Sequence, residues 1–239
     1  MSFKNPAVVD NRPFLARAAV HLTECFLVLG LFLTALTGCS QLPLASQFLN
    51  QPTQTEATTA FFDDFSNTKS GWDRIQTPLG MSDYKKDTYR ILVNEPNTDL
   101  FANPKLTLKD VIIEVTATRI EGPDQNNFGV ICRYLDEKNF YAAQISSSGY
   151  GGIFRMKDGN YQLLGLKEML PVPSILGGNT SNHIRFECIG STLLLIVNGA
   201  PVDIREDDSF EIGDVGLIAG TYDQTGVHVA FDDFSVTQP

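Results

Sequence analysis

The residues with the clearest chemistry in this chain are Leu36, Thr37, Gly38 and Cys39. Small residues leading into a cysteine at the end of an apolar run read as a lipobox, where a bacterial signal peptide is cut and the new N-terminal thiol is acylated. Lys4, Arg12 and Arg17 precede the apolar run from Cys25 to Leu36, with Asp10 as one counter-charge. That run is about a dozen residues, short of the ~20 that cross a bilayer core as a helix. The spacing therefore predicts a signal peptide over 1–38 and a lipid on Cys39, with an uncleaved N-terminal anchor as the alternative. Two cysteines, Cys132 and Cys188, remain beyond that point. In an oxidising compartment they are expected to form a disulfide, whose closure of a 56-residue loop is worth roughly 4 kcal/mol in the chain-entropy picture. Two buried free thiols are the alternative.

A second set of residues, Arg133, Gln144, Arg155 and Arg185, suits ligand binding. Guanidinium forks match carboxylates, sulfates and sugar hydroxyls, and they stack on rings. They make a site only if the chain turns them to one surface; cross-strand ion pairing is the plainer reading. Trp72 and Tyr222 have faces on which a sugar could stack, against a plainer role in core or rim packing. The histidines offer no obvious base, because His183 and His228 have no serine or cysteine nucleophile near them in sequence.

The elements that must position these groups are strands. From Phe61 onward, short alternating runs are separated by turn residues, and no long 3.6-period stretch occurs. Strands are expected over 61–65, 88–94, 99–103, 111–120, 128–134, 140–146 and 151–157, then 161–164, 182–188, 192–197, 201–206, 215–220 and 227–236. Asn198-Gly199 and Asp158-Gly159 are strong two-residue hairpin turns, since both central positions need positive φ. Residues 166–178, with Pro171, Pro173 and Gly177-Gly178, read as a loop. Roughly a dozen strands without helices call for a two-sheet sandwich, because one open sheet would leave an apolar face wet. Residues 39–60, rich in Ser, Thr, Gln and Pro, read as the lipidated cysteine and a flexible tether with a reach of about 25 Å. Strict alternation turns Arg133, Gln144, Arg155 and Arg185 outward, displaying arginines on neighbouring strands of one sheet.

The charge balance narrows the partners. The chain has 18 basic and 28 acidic residues, of which three and two precede Cys39. The part from Cys39 onward therefore carries 15 against 26, a net charge of −11. Nucleic acid and anionic lipid both attract Lys and Arg clusters, so neither is an expected electrostatic partner. Membrane attachment would have to come from the N-terminal lipid.

Several stretches carry a resemblance: Asp63-Asp64-Phe65-Ser66 with Gly71-Trp72, Asn127–Tyr134, Asn139-Phe140-Tyr141, Leu193–Gly199, Gly213–Gly220 and Phe231-Asp232-Asp233-Phe234. Together they resemble the concanavalin A-like lectin/glucanase jelly roll, in particular small laminin-G-like domains of bacterial lipoproteins and receptor-kinase ectodomains. The resemblance spans 61–237 and implies an antiparallel β-sandwich over 61–239. It leaves activity open, because this fold hosts lectins, glycosidases and protein-binding modules. The laminarinase-like hydrolases carry a Glu-x-Asp-x-x-Glu strand that would hold two carboxyl groups ~5.5 Å apart. That pattern is missing around Glu114 and Glu187, so catalysis is not expected. In carbohydrate-binding jelly rolls, terminal aspartates help hold a structural Ca²⁺, which implies Asp64 and Asp233 as oxygen ligands here. Solvated acidic strand ends are the alternative, with a bulge at Asp232-Asp233 marking a phase shift in the last strand. The resulting expectation is a non-catalytic glycan-binding module outside the cytoplasm at a bacterial membrane. Docking to an envelope protein without sugar affinity, or glycosidase-like activity, are the alternatives.

Overall fold

A computed structural model of the chain describes residues 57–239. Cys39, the segment before it and most of the expected tether lie outside the described residues. In chain order the strands are β1 (Thr58–Asp63), β2 (Ile75–Thr77), β3 (Gly80–Tyr84), β4 (Tyr89–Val93), β5 (Asp99–Ala102) and β6 (Val111–Glu121). Next come β7 (Asn126–Asp136), β8 (Asn139–Ile145), β9 (Tyr150–Lys157), β10 (Asn160–Leu163) and β11 (Leu170–Pro171). The last are β12 (Ser181–Ile189), β13 (Thr192–Val197), β14 (Ala200–Glu206), β15 (Asp214–Thr221) and β16 (Val227–Gln238).

These strands form two antiparallel sheets of nine and seven strands. The larger runs β14-β13-β12-β6-β16-β4-β3-β2, with β1 also on β16; the smaller runs β10-β9-β8-β7-β15-β5, with β11 also on β9. Alternating apolar positions from both sheets meet in one core that includes Ile113, Val115, Phe186 and Leu195 from the larger sheet and Val130, Tyr141, Ile145 and Leu217 from the smaller. Both expected hairpin turns are present, with Asn198 and Gly199 at φ 52° and 80° and Asp158 and Gly159 at 52° and 77°. The expected disulfide joins Cys132 on β7 to Cys188 on β12, so it crosses from one sheet to the other through the core.

The sequence expectation misses three elements and one boundary. β2 and β3 escape notice because the inward positions of β3 are Gly80, Ser82 and Tyr84, not a run of aliphatics. β11 lies inside the expected 166–178 loop and pairs with Gly151 and Tyr150 of β9. Pairing of β1 with β16 starts at Thr58↔Gln238, so the end of the expected tether belongs to the sheet.

The two Phe-Asp-Asp-Phe strings explain each other. β16 pairs with β4 as far as Phe231↔Tyr89, then with β1 from Asp63↔Phe234. The register of β16 against β6 slips between Asp232 and Ser235, which is the expected bulge. Phe65 and Phe234 thereby converge on Trp72, at centroid distances of 5.4 and 4.9 Å. Asp63 is a buried acceptor for the Trp72 Nε1–H at 2.9 Å and also receives the Ser70 hydroxyl. Trp72 is therefore core, not a surface platform.

Candidate functional site

The four residues expected to share a binding surface do not share one. Arg133 occupies a left-handed backbone conformation (φ 51°) in a bulge where β7 slips against both β8 and β15. A bulge breaks the two-residue alternation, and here it swings the guanidinium inward. Arg133 is 2% exposed. Its N–H groups donate to the carbonyls of Phe210 (2.8 Å), Gly190 (2.7 Å), Cys188 (3.4 Å) and Lys109 (3.3 Å), with Asp110 at 3.3 Å. It borders a cavity of about 290 Å³ shared with Lys109, Phe210 and Glu211, but the Lys109 ammonium is already paired with Glu211.

Arg155 is also turned inward. Its neighbour Phe154 belongs to the outer face of the smaller sheet and Ile153 to the core, the reverse of the expected parity. Arg155 binds Asp207 and Ser209 beyond the end of β14, and Gln162 on β10. Arg185 stands on β12 of the larger sheet, between Glu187 at 2.7 Å and Glu114 at 3.4 Å. Only Gln144 points out of the smaller sheet as expected.

The expected Ca²⁺ pair, Asp64 and Asp233, lies in an acidic neighbourhood with Asp87 and Asp232. Asp64 accepts from both the backbone N–H and the hydroxyl of Ser66, and these bonds lower its pKa. Burial raises neighbouring Asp232, with the like charges of Asp233, Asp64 and Asp87 adding to the rise. Among the described residues, no group of three or more His, Cys, Asp or Glu side chains is placed to share a metal ion.

Gln144 instead leads to a different constellation. One end of the outer face of the smaller sheet is apolar: Ile131, Phe140, Ala142, Phe154 and Ile218 pack with Phe101, Tyr134 and Met156. The other end is polar. Asp99 on β5 lies across from Gly220 on β15, which lies across from Asn127 on β7. The Gln144 Nε2–H donates to Asn127 Oδ1 at 3.2 Å, and the Tyr161 hydroxyl donates to Gln144 Oε1. The Tyr161 ring stacks on Phe154 at 4.9 Å with an interplanar angle of 3°. Tyr222, just past β15, adds a hydroxyl that contacts the Asn127 amide.

The chain shapes this end with glycine. A Cβ at Gly220 would stand 1.7 Å from Asp99 Oδ1 and 2.5 Å from Asn127 Oδ1, so a bare backbone is what lets these side chains meet over β15. Met169 packs into the outer-face cluster, whereas Val172 and Ile175 pack into the core. Gln144 and Asn127 are buried at this end, and the rings of Tyr161 and Tyr222 are its exposed part.

Electrostatically the cluster is a carboxylate among neutral groups. Burial raises the Asp99 carboxyl to about 6, opposed by its contact with Asn127. Asp99 Oδ1 is buried without a hydrogen-bond partner. Burial also pushes Tyr161 well above the ordinary phenol value and raises Tyr222, with Asp99 adding to both. The buried amides and carboxyl hold the exposed rings of Tyr161 and Tyr222 in place, and such rings give this end a surface on which the C–H face of a sugar can lie. Strand glycines in β7, β9 and β15 were the available signal in the sequence, since glycine inside a strand marks close approach by another group. Asp99 and Tyr161 carried no signal of their own.

No protein-family model matches this chain, and no curated protein matches it in sequence. Solved structures do. Carbohydrate-binding module CBM66 from Bacillus subtilis is similar with a TM-score of 0.57 and 18% identity, over 70% of this chain and 94% of that one. A Bacillus subtilis protein of unknown function with a galectin-like fold has a TM-score of 0.55 and 11% identity, over 76% of this chain and 96% of that one. A xylan β-1,4-xylosidase from Bacillus halodurans reaches 0.53 and 17%, over 74% of this chain but only 39% of that enzyme. At such identities the likeness establishes the fold: an all-β sandwich of two antiparallel sheets, of the kind seen in a carbohydrate-binding module and in galectin-like proteins.

Proposed function

We propose that this protein is a non-catalytic glycan-binding module that works through the outer face of its smaller sheet. The observation that carries this reading is the convergence of Asp99, Asn127, Gln144, Tyr161 and Tyr222 over Gly220, in a fold shared with a carbohydrate-binding module. Hydrolysis of a glycoside uses two facing carboxyl groups, whereas Asp99 is the carboxylate that acts on both tyrosines here. In this reading an acyl chain on Cys39 holds the domain at a membrane outside the cytoplasm, where Cys132 and Cys188 can stay oxidised.

Isothermal titration of the protein against a panel of soluble oligosaccharides tests the binding role. Affinity should be lost in Gln144→Ala and Tyr161→Ala and kept in Arg185→Ala, which lies on the opposite sheet. Retention of affinity in the first two variants would remove this face from consideration. Capture of an envelope protein without any sugar signal would favour the docking alternative, and release of reducing ends would favour an enzyme. Mass spectrometry of the mature N-terminus in a bacterial host tests the lipid: an acylated Cys39 is expected, and an intact N-terminus with a free thiol would refute it.

A further inference from the structure

The exposed aromatic side chains among the described residues are Phe62, Tyr150, Tyr161 and Tyr222, at 58, 42, 38 and 37%. The three tyrosines belong to one end of the outer face of the smaller sheet. Tyr161 stacks one face on Phe154, which leaves the opposite face of its ring as the part turned to solvent. Tyr222 reaches the same place from the end of β15, touching the Asn127 amide and acting on Tyr161.

Tyr150 extends this pair along a row of the sheet. Gly220 on β15 lies across from Asn127 on β7. One residue beyond the Phe128↔Ile145 pair, the row passes to Ser146, whose N–H donates to the Tyr150 carbonyl at 2.8 Å. Ile153 lies in the core and Phe154 on the outer face, so alternation along β9 turns Tyr150 outward with Gly152 and Phe154. The space between Tyr150 and the Tyr161–Phe154 stack is not empty. A Cβ at Gly152 would stand 2.7 Å from Leu163 Cδ1 and 3.5 Å from Met169 Cγ, so these two part-exposed side chains lie over that glycine. Tyr222, Tyr161, Leu163, Met169 and Tyr150 together make an apolar strip that crosses the strands.

The strip runs from β15 to β9, three strand spacings or about 14 Å, which is roughly the length of three linked sugar units. In the order of the sheet, β5 is the last strand past β15 and β11 the last past β9, so no further strand closes either end of the row. The polar groups beneath the strip are buried and bonded to one another, Asn127 to Gln144 and Gln144 to Tyr161. Ring faces and aliphatic side chains are therefore what a ligand meets, and stacking of this kind repeats with each sugar unit without reading a chain terminus.

We propose that the site takes an extended oligosaccharide or polysaccharide, laid across the strands and gripped along the interior of its chain, with Tyr161 and Tyr222 as the principal platform and Tyr150 as an outlying one. This inference rests on the glycan-binding reading above and adds to it the length and orientation of the ligand. Tyr150 is in this account the residue that determines preference for longer chains.

The experiment is calorimetric titration of the full-length protein with gluco-, xylo-, galacto- and fructo-oligosaccharides of two to six units, followed by the polysaccharide of the series that binds. Affinity should rise about tenfold or more from disaccharide to tetrasaccharide and then level off. The polysaccharide should take up many protein copies per chain. Tyr150→Ala should lower tetrasaccharide affinity about fivefold or more and leave the disaccharide within about twofold, while Tyr150→Phe, which keeps the ring, should match the parent. Equal affinity for disaccharide and tetrasaccharide, one protein copy per polysaccharide chain, or parent-like tetrasaccharide binding by Tyr150→Ala would each overturn the extended site and leave a glycan-binding face standing. Loss of the disaccharide as well, in a Tyr150→Ala variant whose melting temperature is unchanged, would also overturn it. Absence of binding by every series would overturn both readings.

Discussion

At the scale of single residues, the arginines divide by how fully the fold uses them. Arg133 satisfies backbone carbonyls contributed by the Lys109–Asp110 turn, the end of β12 and the Phe210 loop. Arg133→Met should orphan these acceptors and cost about 3 kcal/mol in urea denaturation, whereas Arg185→Ala on the open face of β12 should cost under about 1 kcal/mol. Asp99 behaves oppositely. Its folded pKa of about 6 lies above the ordinary 3.8, so folding favours the protonated form. That contribution is complete below about pH 4 and is lost as pH rises through about 6. Asp99→Asn should therefore stabilise the protein by up to ~3 kcal/mol above pH ~7 and change little near pH ~3.5, as read by melting temperature across pH. None of this was legible from parity alone. One left-handed residue at Arg133 reverses the side chain, and alternation carries no mark of where such a residue falls.

At the scale of elements, the larger sheet was easier to read than the smaller. β6, β12 and β13 alternate buried and partly exposed positions, so Val111–Ile120 and Asn182–Cys188 emerge with the correct inward face. β7 and β8 are buried on both sides over most of their length, and β9 is so over 151–154. Both parities then look apolar, and the alternation that turns Arg155 outward puts Phe154 inward, whereas Ile153 is the residue that lies in the core. The second aromatic layer over this sheet, with Phe101, Tyr134 and Phe140 at 5.5–5.9 Å from one another, makes its outward parity as apolar as its inward one. Gly220→Ala tests the role of β15 directly. The added methyl should displace the Asp99 and Asn127 side chains and abolish glycan affinity. The cost in stability should stay near 1–3 kcal/mol, because the tips of flexible side chains can yield.

At the scale of the whole molecule, architecture was the most legible level: the hairpin turns, the all-β two-sheet sandwich and the Cys132–Cys188 bridge were all expected, although three short strands were not. The topology was not, since nothing local announces that β16 exchanges β4 for β1 at Asp232-Asp233. Reduction of the bridge should lower stability by roughly 4 kcal/mol, measured as the difference in urea midpoint with and without a thiol reductant, both times the same m-value. Because the bridge crosses the core from Cys132, five residues along β7 from Asn127, glycan affinity in the reduced but folded protein should stay within about twofold.

The join between β1 and β16 has a mechanical consequence. Thr58 lies opposite Gln238, so traction on the amino-terminal end enters the larger sheet at the chain's last strand. A cargo gripped on the smaller sheet would pull from the other layer. Tension between the two would have to pass through the sandwich, and the sulfur–sulfur link from β7 to β12 is a covalent rung placed where those layers would otherwise slide apart.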